Sequence, residues 1–130
     1  MTRINPRPRR QPEKAEQAAI VKLLRGIGCA VYVLGTRRRA GDYQGTMQSV
    51  GVPDLYTILP RHTGTLWVEV KAAGGRATPE QRAFQAACQA CGQAHVLGGQ
   101  DAVIAWLLEH GYIHEGQVPH YRLPEVAKCS

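Results

Sequence analysis

The chain has 130 residues, 44% of them hydrophobic and 20% charged, which excludes a disordered protein and fits one domain with a single core. No apolar run reaches bilayer length, and Met1-Thr2-Arg3-Ile4-Asn5-Pro6 lacks the apolar stretch of a secretory signal, so a cytoplasmic protein with no membrane partner is expected. Sixteen Lys and Arg against ten Asp and Glu give a net charge of +6, which favours a polyanionic partner through counterion release.

Residues 1–12 carry three prolines and four arginines (Arg3, Arg7, Arg9, Arg10) without apolar periodicity, and read as a flexible basic arm. From about Glu13 a helix is predicted, because Ile20, Leu23, Leu24 and Ile27 recur at helical spacing before Gly26 and Gly28 end the run. Residues 29–34 read as a strand. Residues 35–50 are glycine-rich and polar, a long loop of the kind that is often functional. Within it Arg37, Arg38 and Arg39 are candidates for contacting the phosphates of a polyanionic partner.

Strands are predicted over 54–59 and 65–71, joined through Pro60-Arg61-His62-Thr63-Gly64 as a hairpin. Thr78-Pro79-Glu80-Gln81 then opens a helix, with Thr78 at the N-cap, Pro79 at the first position and Gln81 completing a capping box. This helix is expected to run to Cys91 and stop at Gly92. Residues 94–97 form a short strand, and Asp101 is positioned to cap a last helix ending near Gly111. Residues 112–130 read as a C-terminal extension beyond a domain spanning 13–111. The order of elements is that of a mixed α/β domain.

Chemistry concentrates in the hairpin. Side chains alternate along a strand, so Trp67, Glu69 and Lys71 share one face while Leu66, Val68 and Val70 take the other. A hairpin centred near residues 62 and 63 sets Asp54 opposite Lys71 and Tyr56 opposite Glu69. Asp54 and Glu69 then lie on a diagonal of roughly 7–8 Å, close enough for both carboxylates to close on one cation. Mg²⁺ prefers hard oxygen ligands and keeps several waters, so two carboxylates and a phosphate suffice. The Lys71 ammonium is suited to orienting the attacking water or neutralising the charge that builds on phosphorus. Glu69 and Lys71 sit in an otherwise hydrophobic strand, where charges need a partner or a metal.

Together, Gly51-Val52-Pro53-Asp54-Leu55, Glu69-Val70-Lys71, Gly75 and Thr78-Pro79-Glu80-Gln81 resemble the VRR-NUC branch of the PD-(D/E)XK nucleases. That branch includes small stand-alone phage and bacterial proteins and the catalytic domain of the Fanconi-associated nuclease. The resemblance implies a restriction-endonuclease-like core with a mixed central sheet flanked by helices. It implies Asp54 and Glu69 as ligands of Mg²⁺ or Mn²⁺, the Val70 carbonyl completing the metal shell, Lys71 as a catalytic residue and Gln81 beside the site. The family also places a glutamate on its first helix, for which Glu13 is the first choice and Glu16 the reserve. The activity implied is a structure-selective DNA endonuclease, with four-way junctions as a plausible substrate and a homodimer as the assembly. Its alternative is a DNA-binding module that keeps the fold without turnover. A zinc site on Cys88, Cys91 and His95 is disfavoured, since no second cysteine pair exists and both cysteines fall within a predicted helix.

Overall fold

A computed structural model describes residues 10–34 and 49–121. Four strands, β1 (Ala30–Val33), β2 (Leu55–Ile58), β3 (Thr65–Val70) and β4 (Ala94–Gly98), form one sheet in that order. The first three are antiparallel neighbours, and β4 runs parallel to β3. The return from β3 to β4 is made by helix α2 (Pro79–Cys91). Helix α1 (Arg10–Gly26) precedes the sheet, α3 (Gln100–Glu109) follows it, and a short α4 (Val118–Tyr121) ends the described chain. Among the described residues no helix is long and apolar enough to cross a membrane.

The core lies between the sheet and the α1–α3 pair. Leu66, Val68 and Val70 of β3 meet Leu55 of β2, Val31 of β1 and Val96 of β4. Ile20, Leu23 and Leu24 of α1 and Val103, Ile104 and Leu107 of α3 cover them. Full burial of each such aliphatic side chain contributes about 1.5–3 kcal/mol. Helix α2 packs on the opposite face through Phe84, which meets Trp67 and His95. The mixed α/β reading and its sheet flanked by helices therefore hold.

Several boundaries differ from the sequence reading. Helix α1 begins at Arg10 rather than near Glu13, and the strands β2 and β3 are shorter at their site-proximal ends, starting at Leu55 and stopping at Val70. The hairpin register is shifted by two residues. Leu55 faces Val68 and Tyr56 faces Trp67, so the next step of the ladder sets Asp54 level with Glu69 rather than Lys71. The turn explains the shift: a 3₁₀ segment over Pro60–His62 closes with the Leu59 N–H donating to the Gly64 carbonyl at 2.8 Å. The hairpin axis thus falls between residues 61 and 62.

Asp101 lies inside the first turn of α3 rather than at its N-cap. Gly99 is the N-cap residue, and the acceptor comes from across the fold, where Glu16 Oε1 takes the Gln100 N–H at 2.9 Å. The region after Gly111 is also no mere appendage. Ile113 is buried in the core, Val118 and Tyr121 pack against it, and the Gln100 side-chain amide donates to the Tyr121 carbonyl. The candidate phosphate contacts Arg37, Arg38 and Arg39 lie outside the described residues.

The Glu16 cap has a measurable consequence. A Cβ at Gly99 would stand 2.0 Å from Glu16 Oε1, so the cap requires glycine there. Glu16→Ala should lower unfolding stability by about 1 kcal/mol, as loss of a helix cap does. Gly99→Ala should cost at least as much, and the double variant should fall short of the sum because both changes remove one interaction. Urea titration of the four proteins checks this, and full additivity would separate Glu16 from Gly99.

Candidate active site at the end of strand β3

Glu69 is the centre of the site. It is buried at 3% exposure between Val68 and Val70, yet its side chain lies on the α2 face, opposite to theirs. The α2 capping box supplies its first partner. Gln81 N–H donates to Thr78 Oγ1 at 3.1 Å, and Gln81 Oε1 accepts from Thr78 N–H at 2.9 Å. With the amide oxygen occupied at the cap, Gln81 Nε2 turns to the sheet and donates to Glu69 Oε2 at 3.1 Å. One side chain therefore starts a helix and holds a carboxylate.

The second partner is Lys71, whose Nζ lies 3.7 Å from Glu69 Oε2. Asp54 is the third group. Its Oδ2 accepts the Val70 N–H at 2.9 Å, which anchors this carboxylate across the end of β3. Its backbone carbonyl meanwhile accepts from Leu34 N–H at 2.8 Å, continuing the sheet toward β1. Burial, then the charge of Asp54 and a hydrogen bond with it, push the Glu69 carboxyl up to about 8; Glu13 adds to the push and Lys71 opposes it. The remaining oxygen, Glu69 Oε1, is buried and receives no hydrogen bond from any N–H or O–H donor among the described residues.

Glycines bring the surrounding segments this close. Gly51 has φ +91°, and a Cβ there would lie 2.6 Å from the Glu80 carbonyl oxygen in the first turn of α2. The segment leading through buried Pro53 to Asp54 is thereby packed against the same helix turn that carries Gln81. Gly75 does the equivalent on the other side. A Cβ built on it would meet Glu13 Oε1 and Lys71 Cδ, each at 3.5 Å, so Glu13 and Lys71 flank one backbone position. Beside it a cavity of about 310 Å³ is lined by Pro12, Glu13 and residues 72–75.

Asp54, Glu69, Lys71 and Gln81 are thus brought together, with Val70 contributing backbone to the same point. Glu13 faces this site and Glu16 does not, being engaged at the start of α3. Among the described residues no group of three or more His, Cys, Asp and Glu side chains is close enough to hold a metal ion by itself. Glu13 therefore acts on Glu69 through its charge. The structural part of Gly51 was not drawn from the sequence, although a glycine three residues before a functional aspartate is a usable signal for close packing.

Gly51→Ala should strain the left-handed backbone and force the Asp54 segment away from α2, costing about 1–3 kcal/mol for the backbone conformation alone. Val50→Ala, at a position 78% exposed, should be nearly neutral. Thermal unfolding of both variants compares them directly.

The family model described as VRR-NUC domain matches residues 3–101. A solved structure described as a VRR_NUC domain is similar at 25% identity with a TM-score of 0.58, covering 76% of this chain and 96% of that chain. No curated protein matches the chain. With the match spanning most of the sequence and the hairpin motif assembled in space, the chain belongs to the VRR-NUC domain family, a branch of the PD-(D/E)XK nucleases, and DNA-directed nuclease chemistry is what that membership implies.

Proposed function

We propose that this protein is a Mg²⁺- or Mn²⁺-dependent endonuclease of the cytoplasm that hydrolyses phosphodiester bonds in branched DNA, including four-way junctions, as a homodimer. The observation that carries the metal is Glu69 Oε1, a buried carboxylate oxygen without a donor among the described residues, beside a second carboxylate. A buried carboxylate whose proton affinity is raised by burial and by a second carboxylate beside it is the donor chemistry a hard divalent ion relieves. Asp54 and Glu69 are the side-chain ligands in this reading. Val70 fits as the backbone ligand: its N–H points to Asp54, and in a strand the N–H and C=O of one residue face the same side. Glu13 is placed to contribute through water or substrate rather than directly.

Bound there, the ion would make a water more acidic and offset charge developing on the phosphate. The chain's own groups do the rest. Gln81 fixes the Glu69 carboxylate through the helix cap, and the Val70 N–H fixes Asp54. Lys71, 12% exposed at its side chain, holds a compact cation where the attacking water or the phosphate oxygens would lie. Arg37, Arg38 and Arg39 are assigned to the DNA backbone, where contacts position a strand without reading its sequence. Cutting a four-way junction symmetrically needs two sites related by a two-fold axis, which a homodimer supplies.

Purified protein with Mg²⁺ or Mn²⁺ should cut labelled branched DNA. Lys71→Ala should cut at least ~100-fold more slowly, as loss of one charge-stabilising group does, while still binding the DNA in gel shifts. Equal behaviour of wild type and Lys71→Ala on linear, flap and junction substrates would leave a binding module without turnover.

The buried carboxylate also sets a pH dependence. Folded and metal-free, Glu69 keeps its proton up to about 8, whereas its ordinary value is 4.5. Folding therefore takes up a proton, so the contribution is full below pH 4.5 and is lost as pH rises toward 8. Metal-free Tm should fall across that window more steeply for wild type than for Glu69→Gln. Added Mn²⁺ should restore Tm at the alkaline end in wild type and leave Glu69→Gln little changed.

A further inference from the structure

A row of rings crosses the sheet beside the carboxylates and takes no part in the chemistry above. Tyr32, Tyr56, Trp67 and His95 stand opposite one another on the four successive strands, and opposed residues share a face. Trp67 precedes Glu69 by two positions on β3, so the row lies ~7 Å along the strand from the Glu69 backbone, on the same face. Tyr56 and Trp67 have ring centroids 4.7 Å apart. At the β4 end Phe84 closes the row, 5.0 Å from Trp67 and 6.1 Å from His95. At the β1 end no ring among the described residues closes it. Tyr32 is 53% exposed, Tyr56 is half-buried, and Ile58 beside them is 43% exposed.

We propose that Tyr32 and Tyr56 form a stacking platform for an unpaired nucleobase of the strand being cut, which makes the enzyme selective for DNA with an unstacked base next to the scissile phosphate. This rests on the nuclease reading and names its substrate class. A phosphodiester held at Asp54 and Glu69 delivers its own nucleoside to this face of the sheet. A base inside duplex DNA is already stacked on both sides. A base at a flap, a junction branch or a single strand offers a free ring, and every base has one, so the platform needs no sequence. The net charge of +6 draws the same polyanion to the surface. Continuity with the carboxylates, two residues away, favours nucleic acid over a second copy of the chain as the occupant.

The test uses DNA carrying 2-aminopurine beside the cleavage position, in single-stranded, flapped and fully paired forms, with the full protein in EDTA. Wild type should quench the probe in the unpaired forms only. Tyr32→Ala should lose that quenching and bind the unpaired forms roughly tenfold more weakly, with duplex binding unchanged, while Tyr32→Phe keeps both. Equal losses on paired and unpaired DNA, or no loss, overturn the proposal, as does conversion of a dimer to a monomer by Tyr32→Ala on gel filtration. Quenching without cleavage in Mg²⁺ or Mn²⁺ would sink the nuclease reading and leave the platform standing. Cleavage by wild type together with a Tyr32→Ala loss that is absent, or equal on paired and unpaired DNA, would do the reverse.

Discussion

A carboxylate buried in an apolar strand is the constraint from which the rest of the site follows. Glu69 has Val68 and Val70 as neighbours, both essentially inaccessible, and is itself only 3% exposed. An ionised carboxylate in such a place costs several kcal/mol unless hydrogen bonds and opposite charge compensate it. Gln81 and Lys71 both address one oxygen, Oε2, and leave Oε1 without a donor among the described residues. Asp54 and Glu13 then make the deficit worse. A protein evolved for stability alone would not add negative charge there. The imbalance has a physical rationale once a cation is part of the working state.

The two helical layers meet at that carboxylate from opposite faces of the sheet, and each is held by a helix-terminus interaction. On one face the α2 capping box orients the Gln81 amide toward Glu69. On the other, Glu16 caps α3 through Gln100 N–H and so ties α1 to α3. Three residues earlier on α1, Glu13 is thereby brought to Gly75 and Lys71. Sparing Glu16 from the site and giving it a structural task explains why two acidic residues occur so close together on one helix. The Gln100 side chain then extends the same tie to Tyr121, joining residues beyond Gly111 to the core.

What the sequence made legible was local. The capping box of α2, its stop at Gly92 and the period-2 pattern of β3 each depend on residues within one turn or one strand, and each is realised. The long-range terms were not legible. Glu16 and Gln100 are separated by 84 positions, and no local pattern links them. Asp101 is a cap candidate that a local pattern offers, whereas an acceptor supplied by another helix has no sequence signature. Helix α1 starts ahead of Pro12 because a proline is tolerated in a helix's first turn, so Pro12 does not mark the boundary. The hairpin axis depended on left-handed Arg61 and His62, which their identities do not announce.

The two-residue difference in register leaves the site's face of the sheet unchanged. A slip of one residue would have turned Asp54 to the core face, whereas a slip of two keeps every side chain on its side. The difference is one of distance. With Asp54 beside Lys71, the carboxylates would have stood on a diagonal, each with access to the ammonium. Level with Glu69, Asp54 comes within hydrogen-bonding reach of the other carboxyl, and Lys71 lies one step further along the face. Burial, and after it the charge of Asp54, raise the Glu69 carboxyl by more than Lys71 lowers it. The geometry thus divides the labour along one face of β3: Trp67 packs, Glu69 and Asp54 create a demand for positive charge, and Lys71 stays at the edge of that demand. Leu66, Val68 and Val70 on the reverse carry the core, so folding and chemistry occupy alternate residues of one strand.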